Sequence, residues 1–285
     1  MNKFDYESKT WGGGEVRLSP FCLGASQLKF ALEDLKTIKS TDSTGSPRRA
    51  DSTGSPPRVL EVGCGAGRMV KAVKFYRPEL EVLGIDISKK AILQARENSQ
   101  GVEFLVGDIG RLPFEDKSMD GVLMFDLLEH IKEPLLALDE VNRVLKPRGI
   151  FSAFTPIEGS PFSIWWMATK LFGFKGKEKY GGHIQQYTLK DLLKLLRQSH
   201  LKLLKKRYFG HFFFQLVDFA YFAFLSFRGK NVSSSVEGYL AQERGFGRNL
   251  LAAVKSAIAT VSYFESKIFW FLPASGVHLT ALRSD

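Results

Sequence analysis

The chain has 285 residues, 44% of them hydrophobic, with 26 glycines and a net charge of +10. That is enough length and apolar content for a full α/β core plus an elaboration, and it excludes a disordered or fibrous chain. The only two cysteines, Cys22 and Cys64, stand far apart without ligand spacing, which points to a reducing compartment and argues against a disulfide framework or a metal site.

The opening residues, Met1 to Lys9, mix charges of both signs with no apolar run, unlike a secretory signal, so a cytoplasmic protein is expected. Residues 19 to 37 then read as an amphipathic helix closing an N-terminal segment, 1–39. In the next stretch, 40–57, Asp-Ser-Thr-Gly-Ser-Pro occurs twice with almost no apolar residue to bury. Such a stretch cannot offset its ordering entropy, and a flexible linker is expected there.

From Arg58 the pattern alternates. Strands are predicted near 58–63, 82–86, 102–107, 119–125 and 149–155, with helices near 67–76, 88–98 and 133–145. Alternation of this kind gives a parallel sheet covered on both faces. Thr188 to Asp191 is a capping-box-like start to a helix ending near Ser199, and Leu201 to Tyr208 and Val277 to Arg283 are the last two strands.

The first strand carries the densest signal. Val59-Leu-Glu-Val-Gly-Cys-Gly-Ala-Gly-Arg68 puts glycines at 63, 65 and 67 with Glu61 two places before the first. Glycines there let the backbone turn sharply and let a ligand approach, while the following helix aims its free N–H groups at it. A dinucleotide fingerprint wants G-x-G-x-x-G, and Arg68 takes the place of its third glycine. Asp86, Asp108 and Asp126 then each end a later strand.

With these segments in this order the chain resembles a class I S-adenosylmethionine-dependent methyltransferase. The run Leu138-Asp-Glu-Val-Asn-Arg-Val-Leu-Lys-Pro-Arg-Gly149 is similar to the branch of ubiquinone- and menaquinone-type and small-molecule or lipid enzymes. The resemblance covers residues 57 to about 208 and the last strand. It implies a doubly wound, seven-stranded, mostly parallel sheet with an antiparallel last strand, a core of 58–208 and 277–285, and the N-terminal helix as a lid. It also implies roles. Glu61, Gly63, Gly65 and Gly67 would hold the methionine portion of the cofactor, Asp86 with Ile87 the ribose, and Asp108 with Ile109 the adenine, while Phe125 and Asp126 would flank the sulfonium. For each, a tight turn, a helix cap or a core residue is the plainer alternative.

A minimal member joins its last two strands by a short hairpin, yet here residues 209–276 intervene. Phe209 to Phe227 is intensely aromatic, and Leu250 to Leu272 is a second apolar segment. His211, Gln215 and Asp218 interrupt the first, and Lys255, Glu265 and Lys267 the second, so neither is a clean membrane span. A helical cap over an apolar pocket, partly in the membrane interface, is the first reading; burial in a homo-oligomer interface or helical core is the second, and spanning the third.

Residues 165–285 hold 18 Lys and Arg against 7 Asp and Glu, while residues 1–164 hold 22 against 23. That asymmetry points to an anionic membrane surface or a nucleic acid. Lys202, Lys205, Lys206 and Arg207 before the aromatic segment, and Arg228 and Lys230 after it, suit anionic head groups.

Methyl transfer to oxygen requires loss of a proton, and His130 and His183 are the candidate catalytic residues, with Tyr187 nearby and Glu129 orienting a neighbour. Trp165 and Trp166 would wall an acceptor pocket or pack in a core. The expected function is methylation, on oxygen or carbon, of an apolar or lipid-linked small molecule, with S-adenosylmethionine as cofactor, at the inner face of a membrane. The alternatives are an RNA or DNA methyltransferase, disfavoured because no Asn-Pro-Pro-Tyr-type motif or added RNA-binding module occurs, and a non-catalytic binding module.

Overall fold

The computed structural model describes residues 14–22, 24–38, 55–97, 99, 101–161, 163–228, 246–269 and 271–284. Of the expected linker, residues 40–54 lie outside the described residues.

Seven strands form one sheet: β1 (Arg58–Val62), β2 (Glu81–Asp86), β3 (Glu103–Val106), β4 (Met119–Phe125), β5 (Leu145–Pro156), β6 (Leu201–Phe209) and β7 (Gly276–Arg283). Their order is β3-β2-β1-β4-β5-β7-β6. The first five run parallel, and β7 is antiparallel to both β5 and β6. The doubly wound architecture and antiparallel last strand are therefore as the sequence implied.

Successive strand residues face opposite sides, and both sides are apolar. Leu60, Val122 and Met124 pack against α4 (Pro134–Val144) and α6 (Leu189–Gln198) through Leu138, Val141, Leu192 and Leu196. Val59, Leu123 and Phe125 pack on the other face against α1 (Ala25–Leu35), α2 (Arg68–Tyr76) and α3 (Lys89–Arg96) through Leu28, Leu35, Val70 and Ile92. The capping box of α6 forms, with the Thr188 hydroxyl accepting from the Asp191 N–H and the Asp191 carboxylate from the Thr188 N–H.

Two element starts differ from expectation by several residues, and one helix is new. The N-terminal helix begins at Ala25 rather than near 19, because Gly24 takes φ +89 and turns the chain just before it. Strand β5 begins at Leu145, four residues early: Arg148 adopts φ +61 and the pairing with β4 shifts register between Met119 and Gly121, so the Leu-Lys-Pro turn is an irregular start to the strand. Helix α5 (Ile164–Phe172) was not expected; Ser163 and the Gln215 side chain accept its first free N–H groups.

Between β6 and β7 lie α7 (Phe212–Arg228) and α8 (Phe246–Ile268). The Glu265 carboxylate on α8 accepts the Phe213 and Phe214 N–H groups at the start of α7. No helix among the described residues is long and apolar enough to cross a membrane.

Asp34 near the end of α1 ties that helix to the sheet. Its carboxylate pairs with Arg207 of β6 and accepts from Ser152 of β5 at 2.7 Å and His278 of β7 at 2.9 Å. Arg207, read from sequence as part of a basic surface flank, is instead buried here with its guanidinium over the Phe30 ring. Burial pulls the Asp34 carboxyl upward, but hydrogen bonds from His278 and Arg207 outweigh it and hold the pKa at about 2 against the usual 3.8. A depressed carboxyl pKa contributes stability that is complete above the unfolded value and lost as pH falls through the folded one. Denaturant titrations should lose about 2 kcal/mol of stability to this group between pH 5 and pH 1 in the wild type, and not in Asp34→Asn.

Candidate functional site

The carboxyl ends of β1, β2, β4 and β5 open into a cavity of about 840 Å³. Open α/β sheets bind ligands at this edge, where the strand order reverses.

At one end sits the glycine turn. Gly63 and Cys64 donate their N–H groups to the Ile85 carbonyl at 2.8 and 3.1 Å, and Gly65 donates to the Asp86 carboxylate at 2.8 Å. Gly63 takes φ +73, and a Cβ there would lie 2.7 Å from the Leu127 side chain. Gly63 and Gly65 line the cavity; Gly67 does not. Its φ is +80, and a Cβ on it would lie 2.6 Å from the Phe104 ring, so its constraint is packing of α2 against β3 rather than ligand approach.

Glu61 is buried, faces the cavity and has one carboxyl oxygen without a hydrogen-bond partner. Burial, opposed by the Arg68 guanidinium, holds its pKa up at about 8. Asp86 also accepts from the Ser88 N–H at 2.9 Å, and Ile87 stands exposed beside it. Asp108 faces the cavity and caps the short turn Ile109–Arg111 through the Gly110 N–H at 2.8 Å, so the ligand-facing and capping readings coexist in one carboxylate. Ile109 lines the cavity and packs on the core, as does the buried Phe125.

Asp126 has φ +48, a left-handed conformation costly for Asp, and points its carboxylate into the cavity, where Gln27 of α1 donates to it at 3.3 Å. Desolvation by the surrounding cavity walls raises its pKa, although Arg68 opposes the shift.

At the other end the two histidines meet, with ring centroids 4.9 Å apart and planes at 89°. His130 contacts the Gly182 carbonyl through Nδ1 at 3.0 Å; His183 contacts Glu158 through Nδ1 at 3.1 Å. Burial, then the neighbouring His183, lowers the His130 pKa to about 4, so its imidazole is neutral at pH 7. Glu129 is buried with both carboxyl oxygens unpartnered, and burial followed by Asp126 raises its pKa well above the usual range. Tyr187 is buried and donates to the Leu128 carbonyl at 3.3 Å, away from the cavity lining.

Sequence reasoning missed the ionic chain beneath this end. Lys177 bridges Glu158 and Asp218 at 2.8 Å each, and Asp218 accepts from the Trp165 indole at 2.9 Å. Burial pushes against the charged forms, yet the pairing raises the Lys177 pKa and holds Glu158 at about 2. Trp165 packs among Phe174, Phe219 and Phe222, and neither it nor Trp166 reaches the cavity. The aromatic wall comes from Phe154, Phe209, Phe214, Tyr221 and Phe222.

Residues 60–153 match the family described as methyltransferase domain. The chain is 32% identical over 152 residues to demethylmenaquinone methyltransferase of Staphylococcus aureus, an overlap of 43% of this chain and 63% of that protein. It is 35% identical over 103 residues to an uncharacterised methyltransferase of Schizosaccharomyces pombe, covering 32% of this chain and 37% of the relative. The chain thus spans between about a third and two thirds of these relatives. A solved structure of Haemonchus contortus phosphoethanolamine N-methyltransferase 2, with phosphomonomethylethanolamine and S-adenosylhomocysteine, superposes with TM-score 0.55 at 17% identity, over 92% of this chain and 54% of the other. At that identity the likeness speaks for the fold alone.

Proposed function

We propose that the protein, whose residues 60–153 match a methyltransferase domain, uses S-adenosylmethionine to methylate an apolar or lipid-linked small molecule, on oxygen or carbon, at a membrane surface. The observation that carries this reading is a single cavity joining the glycine turn to an aromatic wall built partly by α7.

Two features of the turn end fit the cofactor. The orphaned Glu61 oxygen suits the ammonium of a methionine moiety, whose charge would return the carboxyl to its ionised form. Gly63 leaves open the space that a side chain would fill against Leu127. On this reading Gly63 and Gly65 admit the methionine portion, Asp86 accepts from the ribose hydroxyls while holding the turn, and Ile87 covers the sugar. Asp108 and Ile109 take the adenine, and Phe125 and Asp126 lie beside the sulfur. Gly67 keeps only its packing role.

Bound S-adenosylmethionine supplies an electrophilic methyl carbon on a positively charged sulfur. The acceptor atom would receive that methyl group, and S-adenosylhomocysteine, a neutral thioether, would be the other product. His130 and His183 face the acceptor at the end of the cavity where its proton is lost, while the aromatic wall excludes water and aligns the displacement.

The likeness to demethylmenaquinone methyltransferase supports a quinone-like acceptor. The apolar surface beside the cavity supports a membrane setting: Phe212, Phe264, Ile268 and Phe271 of the α7–α8 region are each more than half exposed. With tritiated S-adenosylmethionine and a cell lipid extract in vesicles, label should enter the organic phase, and faster with anionic than with neutral vesicles. No label in any fraction would overturn the reading; label in nucleic acid alone would replace the acceptor class.

A further inference from the structure

We infer that Glu129, His130 and His183 form a binding site for one divalent transition-metal ion at the acceptor end of the cavity. The inference deepens the function proposed above and rests on it only for the ion's role, not for its binding.

Each of the three offers one ligand atom, and these atoms all lie within 4.8 Å of one another. Ligand atoms sharing one tetrahedral ion at ~2.1 Å sit roughly 3.4 Å apart, so closure by about 1 Å, within reach of side-chain rotation, completes the set. Two imidazoles and a carboxylate are a donor set for divalent transition ions that leaves coordination positions open.

Three further observations point to a ligand. The Glu129 carboxyl is 1% exposed and lines the cavity, and neither oxygen has a hydrogen-bond partner, so both acceptor atoms are open to a ligand. Both histidines are oriented as metal-binding histidines are, with Nδ1 engaged by an outer acceptor: the Gly182 carbonyl for His130 and the Glu158 carboxylate for His183. His130 Nε2 in turn lies 4.0 Å from Glu129 Oε1. Finally, the three side chains and Asp126 all line the same cavity, so the set is open to an ion from it.

Cysteine spacing argued against a metal site, but this one uses no cysteine and joins residues 53 positions apart, 130 and 183, so no local spacing could reveal it. Its role is Lewis-acidic. The ion orients and acidifies an acceptor hydroxyl, whose proton passes to bulk water, and the imidazoles serve as ligands rather than as the base. No electrons change hands.

The test uses the full chain, stripped with chelator and dialysed separately against zinc and cobalt(II) chloride. One ion per chain should remain by elemental analysis, cobalt should show visible d–d bands of a low-symmetry site, and zinc should raise Tm. Glu129→Gln, which keeps the shape of a side chain whose oxygens make no hydrogen bond, should stay folded and bind at least tenfold more weakly, as should His183→Asn. No ion above a buffer control in the wild type, or equal retention by both variants, overturns the site. Calorimetry with S-adenosylhomocysteine on the same samples separates the two ideas: its failure to bind removes the cofactor reading and leaves the metal result standing.

Discussion

Asp34→Ala should destabilise the protein by about 3–5 kcal/mol, the range for removing one partner of a buried ion pair. The size follows from what is left behind. Arg207 and His278 are 6% and 0% exposed, and both direct polar atoms at the lost carboxylate. Ser152 loses its acceptor as well. Against a typical total of 5–15 kcal/mol, this is a large share. Equilibrium urea unfolding checks it, and the double variant Asp34→Leu with Arg207→Met should recover most of the loss, because the cost lies in the uncompensated charge. A single-variant loss under 1 kcal/mol would show that water reaches Arg207.

Asp86→Ala should weaken S-adenosylhomocysteine binding by roughly 100-fold, near 3 kcal/mol, with a small change in Tm. The carboxylate holds the cavity's turn through the Gly65 and Ser88 N–H groups, at 2.8 and 2.9 Å, and on the reading above also accepts from the ribose. Two kinds of charge-assisted bond are thus removed together. Asp86→Asn keeps one acceptor oxygen and should fall between. Unchanged affinity by calorimetry would sink the ribose assignment.

The sheet was legible because its signals are local. Apolar runs ending in Gly63 or in Asp86, Asp108 and Asp126 mark strand ends, and each appears within one or two residues of its observed position. The lower half of the cavity was not legible, because its chemistry is assembled across distance. Glu158 follows β5, Lys177 lies in a short π-turn and Asp218 on α7, and no periodicity links them. The polar residues that break the aromatic segments looked like obstacles to membrane insertion. Four of them are ties: His211 to the Leu272 carbonyl, Gln215 to the start of α5, Asp218 to Lys177, and Glu265 to the start of α7. Arg207 was misread for a related reason, since a cation in a basic run looks solvated unless its distant partner is known. Gly67 shows the converse, a glycine fixed by a neighbouring ring rather than by a ligand.

Helix α1 touches the cavity with Gln27 and is fastened to three strands through Asp34, seven residues and about 10 Å further along its axis. A rod bolted at its far end cannot swing clear as a whole. What freedom the helix keeps lies at its near end, where Gly24 turns the chain at φ +89 just before the first helical residue.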